Sequence, residues 1–144
     1  MTIQRMGHVG IVVEDLAAAT AFFVELGLEL QRKGSVEGGW VDRVVGLKGV
    51  RADFAIVQTP DGYGHLELTH YHAPASPTSD PNAPANAPGL RHVAFAVEDI
   101  NAVVAGLHDR GTELVGELER FNDSYVCYVR GPEGIILELT ERIG

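Results

Sequence analysis

Apolar and polar residues alternate over two short stretches, 8–13 and 92–97. Val9, Ile11 and Val13 share one face of the first, and Val93, Phe95 and Val97 share the matching face of the second. A period of two is the pattern of a half-buried strand. Glu-Asp follows each run, so acidic residues stand where a helix would start, with Asp15 and Asp99 suited to cap it. Helices are expected over 17–26 and 101–110, and Gly27 and Gly111 sit just past their ends, where glycine closes a helix most readily. Three more strands are expected in each half, over 28–32, 52–58 and 65–71 in the first and over 113–118, 125–130 and 135–140 in the second. Pro-Asp-Gly at 60–62 and Pro-Glu-Gly at 132–134 supply the last turn of each half.

The order of elements repeats because the sequence repeats. HVGIVVEDLAAATAFFVELGLEL begins at His8, HVAFAVEDINAVVAGLHDRGTEL begins 84 positions later at His92, and the closing PDGYGHLELT is matched by PEGIILELT. Each half is β-α-β-β-β. A helix covers one face of such a sheet and leaves the other in need of a partner, which a duplicated unit provides. The expected fold is therefore α+β, with two tandem βαβββ modules forming one compact domain, a curved, partly open mixed sheet around a cavity.

HAPASPTSDPNAPANAP, from His72 to Pro88, has no apolar periodicity and is too polar to bury much surface. It divides the chain into a first module over 1–72, a Pro/Ala-rich linker over 73–88 and a second module over 89–144; a loop folding over a pocket is the other reading of the stretch. Residues 40–50 form an insertion where the second half has only 119–124. This break in the symmetry is a place for substrate selectivity.

Composition narrows the partners. Eleven basic against 20 acidic residues give a formal charge of −9, the wrong sign for binding nucleic acid or an anionic membrane. The one cysteine, Cys127, lies in the apolar run YVCYV; it reads as a packed thiol and suits a reducing compartment. No basic stretch followed by a long apolar one opens the chain, and no apolar run approaches the roughly 20 residues that span a bilayer. A soluble, cytoplasmic protein is expected.

Strand parity then selects four polar residues. With Val9, Ile11 and Val13 toward the helix, His8, Gly10 and Val12 face the other way, as do His92, Ala94 and Ala96 in the second half. In the closing strands His65, Glu67 and Thr69 share that face, and Ile136, Glu138 and Thr140 match them. A lone histidine on such a strand is commonly a hydrogen-bonded structural residue, and a lone glutamate among leucines commonly faces solvent. Duplication changes this, since accident would have to place His and Glu twice at matching positions. Two imidazoles and two carboxylates suit a divalent first-row metal (Ni, Co, Zn, Mn or Fe(II)) rather than calcium or a thiolate zinc site.

The paired HV-[GA]-[IF]-x-V-E-D openings and the P-[DE]-G…L-E-L-T endings resemble the vicinal oxygen chelate superfamily, which contains glyoxalase I, methylmalonyl-CoA epimerase, extradiol dioxygenases and the fosfomycin and bleomycin resistance proteins. The resemblance covers almost the whole chain except the linker and the insertion. It implies metal ligands at His8, Glu67, His92 and Glu138; the nearest members are glyoxalase I or methylmalonyl-CoA epimerase-like proteins, and the full His-Glu-His-Glu set resembles that of bacterial glyoxalase I. The implied function is a divalent-metal-dependent isomerase, lyase or epimerase that removes a proton next to a carbonyl of a small oxygenated substrate through a metal-bound enediolate, with Glu138 and Glu67 as base and proton donor in either order. Two alternatives stand beside it: an Fe(II) extradiol-type dioxygenase, for which His65, His70 and Tyr71 are near in sequence, and a ligand-sequestering protein without catalysis. Epimerases usually carry Gln in place of Glu67. Glyoxalase I commonly has an arginine four residues after its first ligand to hold glutathione, and here that position is Val12. Trp40 and Arg43 in the insertion, with Arg120 and Phe121 in the second half, are candidates to contact substrate. The resemblance also implies a homodimer.

Overall fold

A computed structural model describes residues 2–144. The elements run β1 (Val9–Val12), α1 (Leu16–Leu26), β2 (Glu29–Glu37), α2 (Gly39–Val45), β3 (Arg51–Gln58), β4 (His65–Ala73), β5 (His92–Ala96), α3 (Ile100–Asp109), β6 (Glu119–Phe121), β7 (Ser124–Arg130) and β8 (Ile136–Arg142). The chain divides into two compact units, the first ending at Thr78 and the second spanning Ser79–Gly144. Each holds one four-stranded mixed sheet, ordered β1-β4-β3-β2 in the first and β5-β8-β7-β6 in the second. The class is α+β with tandem modules, and both sheets are open.

In the first unit β1 runs parallel to β4, while β3 is antiparallel to both β4 and β2. The helix face carries Val13, Ala55, Val57, Leu66 and Leu68, all buried, and α1 packs on it with Ala19 and Phe23. Asp15 caps α1 by accepting from the Ala18 N–H at 3.0 Å, and Gly27 closes it at φ 123°. That φ is open to glycine and strained for any residue with a Cβ.

The second unit repeats the plan with a smaller core of Ile100, Leu107, Cys127, Val129, Ile136, Leu137 and Leu139. Asp99 caps α3 through the Ala102 N–H at 3.1 Å, and the Glu141 carboxylate accepts from the Ile100 N–H at 2.7 Å. Cys127 is a buried free thiol, and burial raises its pKa. Arg130 donates to the carbonyls of Pro81, Ala83 and Gly134, tying the segment before β5 to the turn at Pro132–Gly134.

Three expectations need correction. β2 extends to Glu37 instead of ending near 32, because Gly34 lies opposite Phe54, whose ring fills the space a Cβ would need, and Arg32 stacks over the same ring at 5.7 Å. The insertion contains a helix, α2. Val41 of this helix packs with Val50, Ala52, Val36 and Tyr71, and the Asp42 carboxylate accepts from the N–H groups of Gly49 and Val50 at 2.9 and 2.8 Å. In the second half no continuous strand forms over 113–118. Leu114 makes an isolated bridge to Val129, and pairing resumes only in β6, over residues expected to be loop.

Candidate metal and substrate site

Register places the first pair. Gly10 lies beside Glu67 across the parallel β1–β4 ladder, so His8, two residues earlier, stands diagonally from the carboxylate. His8 Nε2 and Glu67 Oε2 are 3.4 Å apart. The second unit repeats the diagonal: Ala94 lies beside Glu138 on β8, and His92 Nε2 is 3.8 Å from Glu138 Oε1. Gly10 and Ala94 keep the space next to each carboxylate free of bulk. All four side chains are between 24% and 48% exposed, which leaves them open to a ligand.

The spacing within each pair can be compared with that of two ligands on one metal ion. Two atoms each about 2.1 Å from one metal at a tetrahedral angle are roughly 3.4 Å apart. The first pair has that separation, and the second, at 3.8 Å, would need a wider angle of about 130°. Each unit by itself brings two candidate ligands together. Among the described residues no group of three or more His, Cys, Asp or Glu side chains is gathered around one point.

The surroundings of the two pairs differ. Across β7–β8 the residue opposite Glu138 is Tyr128, whose hydroxyl is 3.4 Å from His92 Nδ1 with the rings 5.0 Å apart. A ligating histidine usually has its second ring nitrogen held by such a partner, which fixes the tautomer and the ring. Opposite Glu67 the residue is Ile56, and no hydroxyl is offered. The first unit instead has a cleft of about 570 Å³ lined by Arg5, Met6, Gly7, His8, Ile56, Gly62, Tyr63 and His65. His65 Nε2 lies 3.1 Å from Gln58 Oε1.

Trp40, Arg43, Arg120 and Phe121 do not line that cleft. Trp40 and Arg43 are on α2, which packs through Val41 against Val36, Ala52 and Tyr71. Tyr71 is on the Glu67 face of β4 but four residues along, roughly 13 Å from it, and neither Trp40 nor Arg43 lines the cleft. Trp40 is exposed. Arg120 and Phe121 are exposed on β6, and Arg120 Nε donates to the Asn122 carbonyl at 3.3 Å. His70 points to the helix face, where its Nδ1 is 3.0 Å from the Val13 carbonyl. At the matching place of the second unit Glu141 caps α3, so this position serves the fold in both units. On the same face the Ser35 hydroxyl donates to Asp53 at 2.6 Å and His72 Nε2 lies 2.8 Å from it, and these bonds lower the Asp53 pKa.

Sequence reasoning passed over Tyr128, Arg5 and Tyr63. Tyr128 was legible in principle, since it shares the parity of Val126 and falls opposite Glu138 once β7 and β8 form a hairpin. Arg5 precedes any periodic segment, and Tyr63 is the extra residue in PDGYGHLELT against PEGIILELT.

The chain belongs to the glyoxalase/bleomycin resistance protein/dioxygenase superfamily, whose family model matches residues 5–139. It is 42% identical to a glyoxalase family protein from Bacillus cereus whose structure is solved, with a TM-score of 0.95 over 100% of this chain and 97% of that one. It is 29% identical to the YaeR protein of Escherichia coli (strain K12), over 97% of this chain and 98% of the relative. The trypanothione-dependent glyoxalase I of Leishmania major shares the fold at 24% identity, with a TM-score of 0.65 over 96% of this chain and 87% of that protein. No helix among the described residues is long and apolar enough to cross a membrane.

Proposed function

We propose that the protein is a divalent-metal-dependent isomerase, lyase or epimerase of the glyoxalase I-like type, acting on a small oxygenated substrate. The observation that carries the reading is the repeated diagonal: His8 with Glu67 and His92 with Glu138 adopt the same register in both units. In this reading the two pairs hold one ion, with ligands from one chain or from two copies of a cytoplasmic homodimer. The exposed apolar side chains of Trp40, Val44 and Leu47 support self-association.

A bound divalent ion would polarise a carbonyl oxygen and ease the build-up of negative charge beside it. The chain's own contribution is to orient the substrate and move a proton. One of Glu138 and Glu67 takes the proton from the carbon next to the carbonyl, and the other returns it. Within each unit the small residue at Gly10 or Ala94 leaves room for a substrate to approach the neighbouring carboxylate.

A screen of hemithioacetals, acyl-CoA epimers and catechols with metal-reconstituted protein tests the reading. Isomerisation or epimerisation that is lost in Glu138→Gln, with most of the metal retained, is expected. Full activity in that variant would sink the assignment. His65 shares the cleft of His8, which favours the extradiol dioxygenase as the second reading, and oxygen uptake with catechols would select it. A protein that binds ligands tightly but turns over none of these compounds would be a sequestering member.

A further inference from the structure

The cleft beside His8 differs in charge from the rest of the molecule. The protein as a whole carries −9, yet none of the residues lining this cleft is acidic, and Arg5 stands in it with His8 and His65. Arg5 belongs to none of the ion pairs His8–Glu67, His72–Asp53, His92–Glu138 and His108–Glu113 among the described residues. At about 570 Å³ the cleft has the size of a small-molecule pocket. Its walls are apolar at Met6 and Ile56, and its polar groups converge from three segments: Arg5 before β1, Tyr63 in the β3–β4 turn and His65 at the start of β4.

At the position that matches Arg5 the second unit has no cation, although Arg91 directly precedes His92 there. By the 84-residue offset of the openings Gly89 occupies the place of Arg5, by the 71-residue offset of the closing strands Ile136 occupies the place of His65, and the shorter turn of the second unit has no counterpart of Tyr63. The duplicated residues are the His–Glu pair, and the residues added around it in one copy are cationic or hydrogen-bonding. A guanidinium presents a rigid fork of N–H donors that matches a carboxylate or a phosphate in two parallel hydrogen bonds.

Resting on the function proposed above, we infer that the substrate is an acidic carbonyl compound whose carboxylate or phosphate is held by Arg5, with its reacting oxygens toward His8 and Glu67. Arg5 and His8 are three residues apart, roughly 10 Å along an extended chain, and the Arg5 side chain covers part of that span. A compound of a few carbon atoms with one anionic end fits between them. Tyr63 and His65 border the anionic end and supply further donors.

Calorimetric titration of metal-free and zinc-loaded protein with two matched pairs of probes tests this: pyruvate against acetone, and dihydroxyacetone phosphate against dihydroxyacetone. The anionic member of at least one pair should bind about tenfold or more tightly than its neutral partner. The two pairs separate a carboxylate from a phosphate preference. Arg5→Gln should abolish the difference, Arg5→Lys should restore part of it, and Lys48→Gln, which removes one positive charge elsewhere, should leave it unchanged. Equal binding of charged and neutral probes, no binding of either anion, or an undiminished preference in Arg5→Gln would each overturn the inference. Because the preference is also read without metal, it can survive a failure of the metal reading, and metal binding can survive its failure.

Discussion

Around His8 and Glu67 stand Arg5, Ile56 and His65; around His92 and Glu138 the equivalent places hold Gly89, Tyr128 and Ile136. The His–Glu diagonal is the same in both units because two parallel strands in identical register produce it, and the small residue at Gly10 or Ala94 keeps it clear. The neighbours have diverged in complementary directions. The first unit has an open cleft with a free cation, and the second has a hydroxyl against its histidine. In the proposed function the preserved pair would hold the metal, and the altered surroundings distinguish a pair beside an open cleft from one braced by a hydroxyl.

The largest expected effect tests the preserved part. Glu138→Gln and Glu67→Gln should each lower turnover by about 100- to 10,000-fold, measured as initial rates on the first active substrate. A loss in one variant only would show that the two carboxylates are not partners in the same proton transfer. Next come the cores. Phe23 on α1 and Leu107 on α3 occupy matching places, at 0% and 5% exposure. Phe23→Ala should cost about 4 kcal/mol and Leu107→Ala about 3 kcal/mol in chemical denaturation.

A smaller effect separates the braced pair from the open one. Tyr128→Phe should weaken metal binding about tenfold by freeing the His92 ring, whereas Ile56→Val, at the equivalent place, should leave affinity unchanged in the same competition titration with a chelator. The smallest concerns Asp53, which the second unit replaces with Tyr125. Hydrogen bonds from Ser35 and His72 hold the Asp53 pKa below its ordinary value. Its contribution to stability is therefore present above that ordinary value and is lost as the pH falls through the lowered one. Wild type should be slightly more stable than Asp53→Asn at neutral pH, and the two should converge in acid.

The elements that repeat were the ones legible in the sequence. β1 and β5, both N-caps and the glycine closing α1 follow from local pattern and appear where that pattern put them. α2 escaped because a seven-residue helix is too short to show a period, and it is held by non-local contacts, Val41 in its small core and Asp42 on the loop behind it. The length of β2 depended on Phe54 filling the gap at Gly34, a contact across strands that a linear reading does not show. The displaced β6 has the same cause, since pairing with β7 decides where the strand resumes after Leu114. At the candidate site, parity found the His–Glu pairs. Arg5 and Tyr63 lie in irregular segments, where parity says nothing.

The most direct test of the repeated pair is a metal titration of the wild type, His8→Ala and His92→Ala, followed by calorimetry and by metal analysis after dialysis. One tightly held divalent ion for every two His–Glu pairs is expected in the wild type, lost to a similar extent in both variants because each removes one imidazole from the same ion. Retention below about a tenth of an equivalent by reconstituted wild type, or unchanged binding in either variant, would contradict the shared site.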